Sequence, residues 1–131
     1  MTEKKKHITE FTVRGYELDS YGHLNNAVFL QYLEQARWEY TRDTGMLGDF
    51  CAKELFLVVV ETHIRYMQEA RLFDRLSVET DCLCSAPFLV FHQRILNRTQ
   101  KKPSARATVK TIFINREREP QDIPGSILEK I

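Results

Sequence analysis

The sequence predicts an α+β fold: one antiparallel sheet of five strands wrapped around a single long, buried helix. Between about Asn26 and Asp43 runs the one strongly helical segment, with apolar residues at 27, 28, 29, 30, 32, 33, 36, 38 and 40. That is too many for one narrow stripe, and a helix apolar nearly all round is buried on most sides. No apolar run approaches the ~18 residues of a membrane span, so the protein itself must cover this helix. After it the apolar pattern changes to period two, as in strands with one face turned inward.

The elements follow in order. Ile8 to Tyr16 alternates loosely, with Thr9, Thr12 and Val13 supplying β-branched residues, and reads as a first strand with a bulge at Gly15. Glu17 to Asn25 carries Asp, Ser, Gly and Asn, the residues that tolerate turns. Asn25 and Asn26 suit a helix N-cap; Gly45 suits the position just past the helix end, and Met46 to Lys53 adds a short helical turn. Val58, Val60, Thr62, Ile64 and Tyr66 then share one face of a strand, opposite Glu61, His63 and Arg65. Leu76, Val78, Thr80, Cys82 and Cys84 make the next inward face. Ala86-Pro87 is a turn, and Phe88 to Asn97 is the following strand. Ala105 to Asn115 runs back with Ala107, Val109, Thr111 and Phe113 on one side. These four strands are expected to meander antiparallel, leaving an edge that a second subunit can pair with. From Arg116 onward, charge and two prolines mark a tail. With no repeat, linker or composition shift, residues 1–131 read as a single domain.

A chain of 131 residues can bury a core without staples. Its formal net charge of +1 creates no field that draws it to nucleic acid or a membrane. Lys4-Lys5-Lys6 reads as a solvated tail, and no apolar stretch behind it makes a secretory signal. The three cysteines, an odd number without a C-x-x-C pair, give neither a disulfide framework nor a zinc site. A reducing, cytoplasmic setting is expected, with no metal or other cofactor.

The chemistry concentrates at Asp19. A carboxylate in a turn-rich loop is followed by His23, Asn25 and Asn26, and then by the helix. The positive end of such a helix polarises a carbonyl while a nearby carboxylate attacks it or activates water, which points to acyl transfer. An isolated Asp in a turn is ordinarily a turn or capping residue, and the Asn residues serve equally as a plain N-cap.

The run Val13-Arg14-Gly15-Tyr16-Glu17-Leu18-Asp19-x-x-Gly22-His23-Leu24-Asn25-Asn26-Ala27, then Tyr32-Leu33-Glu34-Gln35-Ala36-Arg37, resembles the hotdog-fold acyl-CoA thioesterases, in the branch of 4-hydroxybenzoyl-CoA thioesterase. Arg37-Trp38 and Phe56-Leu57-Val58-Val59-Val60 look most like the bacterial long-chain acyl-CoA thioesterases of fatty-acid degradation. The resemblance implies a homodimer, often paired into a homotetramer, with active sites at the dimer interface. It implies that Asp19 is the catalytic carboxylate, as nucleophile or general base, and that the Asn26 backbone N–H meets the thioester oxygen. His23 and Asn25 take substrate-positioning roles. Glu17 departs from the pattern, since many relatives carry a first Asp there. The expected function is hydrolysis of a medium- to long-chain acyl-CoA to free acid and CoA, the chain length resting on the resemblance alone. Two rivals keep the fold: a thioesterase acting on acyl carrier protein, and a non-catalytic dimer that binds acyl thioesters.

Other residues carry weaker expectations. Glu34 and Arg37, three apart on the helix, read as an ion pair. Glu61 and His63 are reserve catalytic candidates on the polar strand face. Phe29, Tyr32, Trp38 and Tyr40 divide between core and acyl pocket. Arg65, Arg71, Arg94, Arg98, Lys101, Lys102, Arg106 and Lys110 are all available for CoA phosphates, and the sequence does not choose among them.

Overall fold

In a computed structural model describing residues 6–131, β1 (His7–Thr12) leads through a 3₁₀ turn (Gly15–Glu17) into α1 (Asn26–Thr44) and α2 (Met46–Ala52). There follow β2 (Phe56–Tyr66), β3 (Arg75–Ser85), β4 (Phe88–Asn97) and β5 (Lys102–Ile114), then β6 (Pro120–Gln121) and α3 (Gly125–Leu128). The five long strands form one antiparallel sheet in the order β1-β3-β4-β5-β2, and β6 adds to β5. Lys4 and Lys5 lie outside the described residues; Lys6 is exposed, 3.5 Å from Glu79.

The expected meander holds for β3-β4-β5 but not for β2, which crosses to pair with β5 at the sheet's far edge. The link after β2 is tied elsewhere and makes no hairpin: Met67 N–H donates to Ser104 O (2.8 Å), and Ala70 O accepts from Leu24 N–H (2.8 Å). A second departure lies inside β2. Its register slips between Val59 and Glu61, where a bulge inserts one residue. Leu57 and Val59 therefore pair with the buried Phe113 and Thr111, whereas Thr62 and Ile64 face inward only beyond the bulge. Val58 and Val60 do not share a face with Thr62, because an extra residue inverts the alternation.

Helix α1 is less enclosed than its composition suggests. Phe29, Tyr32, Leu33, Ala36 and Tyr40 are buried at steps of three and four, a single stripe lying on the sheet. Leu30 and Trp38 on the other side remain 41% and 50% exposed, since the sheet curls around one flank only. The aromatic set thus divides: Phe29, Tyr32 and Tyr40 are core, Trp38 is not. Glu34 and Arg37 form no ion pair among the described residues. Instead the Arg37 guanidinium donates from Nη1 to the buried Gln93 (3.0 Å), whose amide donates to Leu33 O (2.9 Å).

Gly45 ends α1 as expected, with φ +83° and its N–H returning to Arg42 O. The region beyond Arg116 is not a loose tail: Ile127 is fully buried, Ile123 and Ile131 pack against the core, and Lys130 pairs with Asp49 on α2. On β3 the inward face runs from Leu76 to Cys82, while Cys84 is exposed near the strand end. Among the described residues no helix is long and apolar enough to cross a membrane.

Candidate active site

The loop before α1 is folded back on itself. Asp19 N–H donates to His23 O (2.8 Å), Gly22 N–H donates to Asp19 O (3.0 Å), and Leu18 bridges Leu24. Gly22 makes the return at φ +78°, a left-handed conformation that costs glycine nothing. Within this turn Asp19 Oδ1 accepts from the N–H groups of Tyr21 (2.9 Å) and His23 (3.1 Å). Its Oδ2 accepts no hydrogen bond from any described residue. One carboxylate oxygen is anchored and the other is open.

The helix start is equally defined. Asn25 is extended (φ −62°, ψ 138°) and acts as N-cap, its Oδ1 accepting from Ala27 N–H (2.9 Å). Val28 N–H donates to Asn25 O (2.9 Å). These contacts leave the Asn26 N–H, the first of the helix, without a partner among the described residues. The Asn26 carbonyl accepts from the Tyr66 hydroxyl at 3.1 Å, tying the helix start to the end of β2.

Two buried carboxylates absent from the expected site hold this arrangement. Glu17 accepts from Arg14 N–H (2.9 Å), from the Arg14 guanidinium (3.2 Å) and from the Tyr32 hydroxyl (2.6 Å), while its carbonyl accepts from Asn25 N–H (3.0 Å). Burial pushes the Glu17 carboxyl up, but the Arg14 and Tyr32 hydrogen bonds outweigh it and hold the group below its ordinary range. Asp74 accepts from Arg71 N–H (2.9 Å) and from the Asn97 (2.8 Å) and Gln100 (2.7 Å) amides. It fixes the segment in which Arg71 bridges His23 and Ala70 receives Leu24. For Glu17 a signal existed in the three-residue spacing from Arg14. For Asp74 there was none, since Asn97 and Gln100 lie 23 and 26 residues away.

Asp19, His23, Asn25 and Asn26 are therefore brought into one loop and helix start. His23 Nδ1 lies 3.6 Å from Glu69 Oε2, and Arg71, which also contacts Glu69 (3.2 Å), stands against this loop. Glu61 and His63 are not brought there. Glu61 pairs with Lys110 (3.8 Å), and His63 lines a shallow cavity on the sheet with Arg65, Arg94 and Arg106. A cavity of about 520 Å³ between α1, α2 and β2 is lined by none of the four predicted residues. Among the described residues no three His, Cys, Asp or Glu side chains stand where they could hold a metal ion.

Comparison with known proteins gives a consistent picture. The long-chain acyl-CoA thioesterase FadM of Escherichia coli is 40% identical over 70 residues, 53% of each chain. The chloroplastic acyl-acyl carrier protein thioesterase ATL3 of Arabidopsis thaliana is 29% identical over 126 residues, 95% of this chain and 66% of that protein. The chain thus spans about half and just under two thirds of these relatives' lengths. The crystal structure of YbaW, a probable thioesterase from Escherichia coli, superposes with a TM-score of 0.86 at 28% identity over 95% of both chains. Residues 13–131 match the thioesterase-like superfamily, and the chain belongs to that hotdog-fold family.

Proposed function

We propose that this protein hydrolyses medium- to long-chain acyl-CoA to free acid and CoA, with Asp19 as the reacting carboxylate and the Asn26 N–H as oxyanion donor. The observation that carries the reading is the pairing of one open carboxylate oxygen, Asp19 Oδ2, with one open helix N-terminal donor on the same short, cross-braced loop. As the carbonyl carbon becomes tetrahedral, negative charge gathers on its oxygen. A preorganised N–H meets that charge without reorganising, worth about 3 kcal/mol per donor. Asp19 Oδ2 either attacks the carbonyl carbon, expelling the CoA thiolate and leaving an anhydride that water opens, or takes a proton from an attacking water. Both routes end in acid and thiol. His23 and Asn25, on the same loop and helix start, position the substrate.

A homodimer belongs to this reading. β2 is an edge strand, and Phe56, Val59, Val60 and Tyr66 along it are 42–51% exposed. A second copy pairing there, with β2 against β2, covers the apolar row and satisfies the free backbone groups. Pairing of two such dimers gives the homotetramer.

The test is release of free CoA thiol across acyl-CoAs of increasing length, beside Asp19→Asn, which keeps an oxygen acceptor for the Tyr21 and His23 N–H groups. Turnover in the variant is expected to fall by at least about 10²-fold; unchanged turnover overturns the assignment. A second reading, favoured by the match to ATL3 over 95% of the chain, keeps the site and changes the carrier to acyl carrier protein. Matched acyl-CoA and acyl-carrier thioesters separate the two by their kcat/KM.

A further inference from the structure

The face of the sheet turned away from α1 carries an unbroken row of arginines. On β4 the Gln93 side chain bonds the Leu33 carbonyl of α1, so its neighbours His92 and Arg94 point to the opposite side. On β5 Ala105, Ala107 and Val109 are core, which puts Arg106 and Thr108 on that same outer side. Register then fixes the neighbours. Arg106 stands directly opposite Arg65 of β2 and directly opposite Arg94 of β4, and Arg94 stands opposite Glu79 of β3. One step along, Thr108 stands opposite both His63 and His92. The two rows line a shallow cavity of about 350 Å³.

Like charges directly opposite on neighbouring strands are destabilising, and this row makes that arrangement twice. No acid separates Arg65, Arg106 and Arg94 within it. Glu79, at the end of the row, lies 3.6 Å from Arg94 and 3.5 Å from Lys6. Arg65 and Arg106 form no ion pair or hydrogen bond among the described residues, and both are exposed. Around the cavity stand Lys6 and three arginines against two carboxylates, Glu79 and Asp81, in a chain whose formal net charge is only +1. Scattered surface arginines are screened by solvent and salt. Three on adjacent strands about 4.8 Å apart, facing one concave floor, make a fixed cationic strip.

We infer that this strip binds a short phosphate chain, inorganic or carried by a nucleotide, at a site separate from the one around Asp19. Each guanidinium presents a planar fork of donors that matches phosphate oxygens two at a time. A single phosphate bridges two neighbouring arginines. The span from Arg65 to Arg94, two strand spacings or about 10 Å, suits a linear run of phosphoryl groups laid across the strands, with Arg106 at its centre. His63, His92 and the Thr108 hydroxyl line the floor beside it as further donors. The occupant replaces repulsion within the row by attraction to a shared anion, and so strengthens the pairing of β2 with β5. Tyr66, the residue after Arg65, bonds the Asn26 carbonyl, so the strand that carries the strip also holds the start of α1.

Calorimetric titration of the full chain with sodium tripolyphosphate at low ionic strength tests this, and it needs no turnover, so it stands apart from the thioesterase reading. One saturable binding event per chain is expected. Binding is expected to weaken by about tenfold or more in Arg106→Gln, the loss of one charge-assisted pair. Arg118→Gln removes an exposed charge of the same sign beyond the far end of β5, and its affinity is expected to stay within about twofold of wild type. No saturable binding by the wild type overturns the site. Equal weakening in the two variants also overturns it, because that marks a diffuse response to net charge. ATP and adenosine 3′,5′-bisphosphate are titrated alongside. ATP bound at least as tightly as tripolyphosphate points to a nucleotide as the source, and ATP bound more weakly to an inorganic chain. The bisphosphate, which is the nucleotide end of CoA without its thiol arm, is expected to bind more weakly than tripolyphosphate. If it binds more tightly than both others, the strip belongs to the CoA substrate and the separate site is overturned. Thermal unfolding supplies a second readout. Without ligand, Arg106→Gln is expected to melt no lower than wild type, since it relieves like-charge contacts, and tripolyphosphate is expected to raise the melting temperature of the wild type alone. A variant that melts lower without ligand would show Arg106 serving the fold through a partner of its own, against the inference.

Discussion

The Tyr32 hydroxyl donates to the Glu17 carboxylate at 2.6 Å, and this hydrogen bond joins the core face of α1 to the loop that carries Asp19. Both residues are buried, and Phe11 of β1 stacks on the Tyr32 ring at 4.3 Å. Burial, and then the adjacent carboxylate, push the tyrosine's pKa up, so it remains a donor through the neutral range. These contacts join helix, first strand and loop, and Asn25 N–H on the Glu17 carbonyl extends the link to the helix cap.

The first prediction concerns acid. Because the Glu17 carboxyl is held below its ordinary range, its stabilisation is complete above the unfolded-state value and disappears as pH falls through the lower folded value. Glu17→Gln should lower unfolding free energy by about 1.5–3 kcal/mol at neutral pH. Urea unfolding should show the gap between wild type and variant narrowing as pH falls below about 4. A gap that stays constant into acid would show that the charge of Glu17 plays no part.

At the helix start, Asn26→Pro isolates a single N–H. Proline is favoured at the first helical position, and Asn25 already has the extended conformation required of a residue before proline. The fold should tolerate the change, with little shift in the melting curve. On the proposed mechanism kcat falls by about 10²–10³-fold, while Asn26→Ala, which keeps the N–H, falls far less. Steady-state kinetics on one acyl-CoA compares the two, and equal losses would remove the N–H from the mechanism.

Gly45 gives a purely conformational prediction. A Cβ there has the Lys130 side chain as its nearest neighbour, at 3.6 Å and beyond, which is ordinary contact. The cost of Gly45→Ala is therefore the backbone at φ +83°, about 1–2 kcal/mol. Denaturant titration should show a shifted midpoint with an unchanged slope.

Ile127 tests whether the C-terminal turn belongs to the core. Its side chain is fully buried, so Ile127→Ala should destabilise by about 2–5 kcal/mol. Thermal unfolding would register a loss of that size, whereas a frayed tail would give almost none.

What the sequence determined by itself is what is encoded within a few residues. Asn25 caps and Gly45 ends α1 because capping is a matter of neighbouring backbone groups. Asp19 anchors its own turn, and Ala107, Val109, Thr111 and Phe113 alternate inward, because both patterns close over short spans. The tertiary structure alone decided the rest. One inserted residue at Val60 inverted the faces of β2, and only pairing with β5 exposes it. Asp74 became the brace of the site through Asn97 and Gln100, partners that chain distance hides. Trp38 was separated from Phe29, Tyr32 and Tyr40 because the sheet covers one flank of α1, and Ile127 was drawn inward because the core had room for it. Helix caps and turn hydrogen bonds are local and directional, so a linear string carries them. Burial is neither: it depends on which surfaces meet, and in this chain that is settled by contacts between residues far apart in sequence.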